Sequence, residues 1–211
     1  MPRSAVVNQE MRERSRERIL TAALETFAAK GYEAASISDV TAAAGVSRGL
    51  VSYYFATKEQ LAAELLDRWL DGIAGLLSIQ GTPDERLAGI IDGALMAAAT
   101  TLPIQRLAIT LMMQPSTHDV FARVEQAKSE RLSLVEDAIR DVFAARGAAE
   151  PAIEEMLLRA TLEGVTVKLA IYRETFPLED IRRRLYAGYD LPTPAVPLPI
   201  TSPPVDRLRA K

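Results

Sequence analysis

The stretch TAAAGVSRGLVSYYFATKEQL, Thr41 to Leu61, sets Gly-Val-Ser between two short apolar runs and follows them with an aromatic triplet and a lysine. It is too regular for a loop and too short for a catalytic domain. It reads as two small helices joined by a tight turn. Gly45 stops the first, and Ser47 caps the second, which runs from Arg48 to about Tyr54. Thr57 and Gln60 stand at capping-box spacing in TKEQ and open a long helix through about Leu77.

Upstream, Ile19, Leu20, Ala23, Leu24, Phe27 and Ala28 recur at helical spacing, so a helix is predicted over Glu10–Lys30, with Gly31 as its stop. Ser36, with Asp39 three residues on, caps a short helix over Ser38–Ala44. Three helices with a glycine-containing turn make a helix-turn-helix. Ile37, Val40 and Ala44 face a small core, and Val46, Val51 and Phe55 can face the same one. That leaves Arg48, Gly49, Leu50, Ser52, Tyr53 and Tyr54 outside. A helix N-terminus docks phosphate. Arg48 can add a bidentate contact to guanine, Gly49 allows close approach and Leu50 can touch a thymine methyl. Tyr53, Tyr54 and Lys58 can hold phosphates.

These residues carry a resemblance. GYEAASISDVTAAAGVSRGLVSYYFATKEQL resembles the DNA-binding region of the tetracycline-repressor (TetR) family, from about Arg16 to Leu66, through Phe27, Gly31, Ile37, Val40, Ala44–Ser47, Gly49, Tyr53, Phe55, Lys58 and Leu61. The resemblance implies an all-helical homodimer, with DNA-binding domains followed by divergent ligand-binding and dimerising domains. It puts Ser36 and Ser38 at the DNA surface. Arg48, Gly49, Leu50, Ser52 and Tyr53 fall where the family reads bases or backbone, and Tyr54 and Lys58 where it grips phosphate. Ser47, at the head of the same helix, completes the set. Two residues depart from the pattern: Ala35 replaces a frequent hydroxyl residue, and Ser52 sits where many members carry tyrosine. GLVSYYF is similar to the choline-responsive betaine-regulator branch, a likeness that does not set the ligand.

The second half also reads as helical. Thr82, Pro83 and Glu85 form a capped start, followed by an apolar face of Leu87, Ile90, Ile91, Ala94, Leu95 and Ala98. Pro103 breaks this helix, Ile104–Met113 makes a short one, and His118–Arg146 reads as one long amphipathic helix. Ile153–Glu174 is apolar on more than one side, which predicts a dimer built by the last two helices, with Ala160 and Gly164 allowing close approach. Pro177 opens a last helix to about Gly188, and the six prolines of LPTPAVPLPITSPP read as an extended tail, disordered or draped on the surface. No strand alternation persists.

The expected architecture is all-α: a tail over 1–9, a three-helix helix-turn-helix domain over 10–57, a helical ligand-binding and dimerisation domain over 58–189, and a proline-rich tail over 190–211. Trp69, Met96, Met112, Met113 and Phe121 are candidate pocket residues, because methionine and aromatics suit adaptable apolar sites. Glu163 interrupts an apolar helix and is a candidate for a polar ligand group.

Composition narrows the function. The chain has 211 residues, 48% of them hydrophobic, no cysteine and a single histidine, His118. Disulfides, zinc–thiolate sites and cysteine nucleophiles are excluded, and neither a metal site nor a cofactor is expected. No run of about 18 apolar residues predicts a membrane span, and the first residues lack the apolar core of a secretory signal, so a cytoplasmic protein is expected. A net charge of -3 confines DNA contact to a local patch. The series Arg12, Arg14, Arg16 and Arg18, interleaved with Glu13 and Glu17, reads as a solvated face, and Arg3 as an arm able to reach a minor groove. The expected function is a transcriptional regulator, a repressor that leaves a palindromic double-stranded operator when a small, mostly apolar inducer binds. A DNA-binding regulator or architectural protein without an inducer is the alternative. An all-helical enzyme has no phosphate loop, metal pair or nucleophile–base spacing to support it.

Overall fold

Ser36, Ser47, Thr57 and Thr82 each cap the start of a helix. The computed structural model describes residues 5–198, and it contains ten α-helices and no strand among them. Arg3 and residues 199–211 of the proline-rich tail lie outside the described residues. In chain order the helices are α1 (Ala5–Lys30), α2 (Ile37–Ala44), α3 (Arg48–Tyr54), α4 (Lys58–Ala74), α5 (Pro83–Thr100), α6 (Leu102–Met113), α7 (His118–Ala127), α8 (Ser129–Ala145), α9 (Pro151–Tyr172) and α10 (Leu178–Gly188). Short 3-10 turns follow α4 and α9, at Gly75–Ser78 and Arg173–Thr175.

Two of the three expected capping boxes form in full; at the third the Thr57 hydroxyl accepts the Gln60 N–H at 3.2 Å, but the Gln60 side-chain oxygen accepts the N–H of Ala56, at 2.7 Å, rather than that of Thr57. The Ser36 hydroxyl accepts the Asp39 N–H while the Asp39 carboxylate accepts the Ser36 N–H, and Thr82 with Glu85 does the same at the head of α5, with Pro83 in its first turn. Each box satisfies two backbone donors that a bare helix start leaves orphaned. Two expectations are corrected. The first helix starts at Ala5 rather than Glu10, because Val6–Gln9 contain no breaker and Gln9 donates to Glu13 one turn on, 3.1 Å away. The single helix expected over His118–Arg146 is two: Lys128, at φ -108° and ψ 6°, interrupts it.

The chain packs as two units. The first holds residues up to Trp69 together with Arg106–Gln126. Its core is Ile19, Leu20, Ala23 and Phe27 of α1, Val40 and Ala44 of α2, Val51 of α3, Phe55, and Leu61, Leu65 and Leu66 of α4, with Leu107, Leu111, Val120 and Phe121 also buried. The second unit holds Leu70–Gln105 and the residues from Ala127 onward. There α5, α8 and α9 pack pairwise, and α10 packs on α5. Their shared core includes Leu87, Ile91 and Leu95, Val135, Val142 and Phe143, Leu158 and Val165, and Leu178 and Tyr186.

The described part of the proline-rich tail is draped on this second unit. Leu191 and Leu198 are buried in its core. Arg182 donates to the Val196 carbonyl at 2.8 Å while holding Asp92 through two bonds of 2.7 and 2.6 Å, and the Leu198 N–H donates to Glu179 at 3.1 Å. No single helix among the described residues is long and apolar enough to cross a membrane.

Candidate nucleic-acid interface

Between α2 and α3 the backbone must reverse within three residues. Gly45 adopts φ 59° and ψ 39°, left-handed space where a side chain is strained, and the N–H groups of Gly45 and Val46 close α2 by donating to Ala42 and Thr41. Ser47 is extended, and its hydroxyl accepts the Leu50 N–H at 3.2 Å, which starts α3. Val51 is the buried anchor of this seven-residue helix.

With Val51 inward, Arg48, Gly49, Ser52 and Tyr53 are exposed, Tyr53 to 69%, and Leu50 and Tyr54 are half-buried. The guanidinium of Arg48 forms no ion pair or hydrogen bond among the described residues. It stands in the first turn of α3, beside free backbone N–H groups, so both are available to an anion or a base edge. Ser38 is exposed on α2. Ser47 keeps its hydroxyl proton free for a further acceptor, since capping uses only its lone pair.

Three of the residues expected to contact DNA have intramolecular partners. The Ser36 hydroxyl donates to Asp39 Oδ2 at 2.7 Å as well as accepting the Asp39 N–H, so both of its roles serve the cap. Tyr54 donates its phenol proton to the Arg12 carbonyl of α1 at 3.1 Å. Lys58 donates from Nζ to the carbonyls of Tyr32, at 2.9 Å, and Glu33, at 3.1 Å, and lies 4.5 Å above the Tyr32 ring. The Tyr32 phenol is buried without a hydrogen-bond partner among the described residues; burial, then the Glu59 and Glu33 carboxylates, push it up to about 12. Ala35 is buried, so a hydroxyl there would sit in the core rather than at the surface.

The arginine series is not the plain solvated face that interleaved charges suggest. Arg18 reaches from α1 to the end of α2, Nε donating to the Ala44 carbonyl and Nη2 to the Gly45 carbonyl, both at 2.7 Å. Arg16 pairs with Glu64 of α4 at 2.7 Å and lies over the Phe55 ring. Glu17 holds Arg68 of α4 through two bonds of 2.6 and 2.5 Å. A complementary pattern was present in the sequence: Arg16 and Glu17 on α1 face Glu64 and Arg68, one turn apart on α4.

The other candidates are scattered. Trp69 and Phe121 approach each other in the first unit, ring centres 6.5 Å apart. Met112 and Met113 are exposed near the end of α6, Met113 to 71%. Met96 packs against the core of the second unit, and Glu163 is exposed on α9.

Residues 19–65, which span α2, α3 and the turn between them, match the family model described as bacterial regulatory proteins, tetR family. The chain carries a TetR-type DNA-binding domain. It is a DNA-binding transcriptional regulator. It is 27% identical over 166 residues to the HTH-type transcriptional regulator BetI of Escherichia coli O17:K52:H18, covering 71% of this chain and 83% of that protein. It is 24% identical to the HTH-type transcriptional repressor KstR2 of Mycolicibacterium smegmatis, over 77% of this chain and 82% of that one. Its fold is similar to that of the transcriptional regulator FadR from Bacillus subtilis, solved in complex with stearoyl-CoA, with a TM-score of 0.66, 16% identity, and 82% and 96% of the two chains covered.

Proposed function

We propose that this chain is a homodimeric repressor that binds a palindromic operator and leaves it when a small, mostly apolar molecule binds the helical region that follows the reading helix in sequence. The observation that carries DNA reading is the exposed face of α3, with Arg48 at its N-terminal turn forming no ion pair or hydrogen bond among the described residues. The observation behind the dimer is α9. Ile153, Leu157, Ala160, Gly164, Val167 and Ile171 recur every three or four residues and are all exposed, while Leu158, Val165 and Leu169 bury the opposite face. An apolar stripe of this length on one helix calls for a partner, and a second copy supplies the identical stripe across a two-fold axis, the symmetry of a palindrome.

The apolar ligand class is supported by the stearoyl-CoA complex of the FadR neighbour and by the second unit itself. Its slot between Leu77, Ile79, Ile90, Val135 and Ile139, with Arg86 beside it, holds a void of only about 10 Å³. A ligand seated there would have to part these side chains and would so favour a different packing from the one seen here. A hundredfold loss of DNA affinity needs about 2.7 kcal/mol of differential binding.

The test is a titration of long-chain acyl compounds, followed through Trp69 fluorescence with and without the operator duplex. The expected result is weaker ligand binding in the presence of operator, by the factor by which ligand weakens operator binding. Tight ligand binding with the same affinity in both titrations would exclude the inducer role.

A further inference from the structure

The reading helix has little hold of its own. α3 has seven residues and one buried anchor, Val51, and α2 has eight residues with Val40 and Ala44 buried. Helices this short are far below the length that is stable alone, so their placement is imposed by what surrounds them. Two cations stand at the two ends of α2. Lys58, the first residue of α4, donates to the Tyr32 and Glu33 carbonyls in the loop that precedes α2. Arg18, on α1, donates to the Ala44 and Gly45 carbonyls in the turn that leaves it. Four backbone acceptors that bracket α2 are thus held by charge-assisted hydrogen bonds from the two long helices of the same unit. At Gly45 the fit is tight: a Cβ there would lie 3.2 Å from Arg18 Nη2.

We propose that Lys58 and Arg18 are positioning residues for DNA reading, which hold α2 at both ends and so fix where α3 stands, and that Lys58 acts through the Tyr32–Glu33 backbone rather than as a phosphate contact. The proposal rests on α3 being the reading helix. It separates two properties that a surface lysine would move together. A phosphate-contacting lysine contributes about 0.9 to the slope of log affinity against log salt and weakens all duplexes alike. A lysine that positions the reading head leaves the slope in place and lowers the preference for the right sequence.

The experiment uses the full-length protein with Lys58→Met, which keeps the stem over the Tyr32 ring, Lys58→Arg, which restores the donors, and Arg18→Met. The duplex is the one that wild-type protein selects from a random-sequence pool, with a scrambled control, each titrated at several salt concentrations. Both methionine variants are expected to lose about tenfold or more in affinity for the selected duplex. They lose much less for the scrambled one, with the salt slope unchanged, and Lys58→Arg recovers most of the loss. Amide hydrogen exchange is followed in the same variants without DNA. Residues 31–36 are expected to exchange faster in Lys58→Met and residues 44–47 in Arg18→Met, with the centres of α1 and α4 as protected as in the wild type. A slope reduced by about 0.9 per protomer in Lys58→Met, or loop exchange identical to wild type, overturns the proposal. If wild-type protein selects no duplex at all, the DNA-reading premise fails, and the exchange measurement still decides whether the two cations hold the loops.

Discussion

At the scale of single residues, the interface divides into groups that face outward and groups that hold the frame. Arg48 has no ion pair or hydrogen bond among the described residues, so replacing it by alanine removes none of the contacts seen there. Arg48→Ala is therefore expected to cost about 1–3 kcal/mol in operator binding and to relax sequence choice, with thermal unfolding unchanged. Titration of operator and scrambled duplexes checks this, and equal losses on both would take Arg48 out of base readout. Asp39 belongs to the frame. Its carboxylate is held at about 2, below an ordinary 3.8, first by the hydrogen bond from Lys30 and then by the Ser36 hydroxyl and N–H. A lowered folded-state pKa means stability that is present above the unfolded value and lost as pH falls towards the folded one. The first unit is expected to lose stability between about pH 4 and pH 2, and Asp39→Asn to remove part of that dependence. Chemical denaturation at a series of pH values measures it; an unchanged pH profile in the variant would show that the cap does not couple to unfolding.

At the scale of helices, whatever depended on neighbours in sequence was legible beforehand. The Ser36–Asp39 and Thr82–Glu85 boxes span three residues, the Gly45 stop is a local backbone requirement, and the apolar periodicity of α5 is internal to one helix. The inward or outward face of α3 followed from Val46, Val51 and Phe55. The roles of Arg18 and Lys58 were hidden because their acceptors are backbone carbonyls 25 to 27 residues away, and a carbonyl has no sequence signature. The break at Lys128 was hidden for another reason: polar residues on both sides continue a helical pattern, and the apolar stripe of α7 ends before that of α8 begins. One element end invites a direct test. Arg173 closes α9 at φ 48° and ψ -121°, a conformation that favours glycine. Arg173→Gly is expected to stabilise the protein by about 1 kcal/mol, the relieved strain exceeding the added freedom of the unfolded chain. The urea midpoint should rise with an unchanged slope; a fall would mean that the arginine side chain matters more than its backbone.

At the scale of the whole molecule, the proposed function requires two copies. Two recognition helices must enter successive major grooves about 34–36 Å apart, and one α3 offers too few base contacts for selective binding alone. The exposed stripe of α9 is the surface expected to bring them together. Its centre is narrow, since Ala160 and Gly164 let a second helix come close, and its ends are broad, with Leu157 and Ile171 exposed to 55% and 62%. A charge in that stripe is solvated in the monomer and desolvated in the dimer, so it acts on association and not on folding. Leu157→Glu is therefore expected to give a folded monomer, with wild-type helix content and a sedimentation coefficient that no longer rises with concentration in the micromolar range. Operator affinity should fall by two orders of magnitude or more, on the order of 3 kcal/mol, because each half-site is then bound separately. A half-site duplex should be bound as well by the variant as by the wild type. That comparison separates the interface from the reading head: a loss on the half-site would place the damage in α3, and a variant that stays dimeric would move the two-fold axis away from α9.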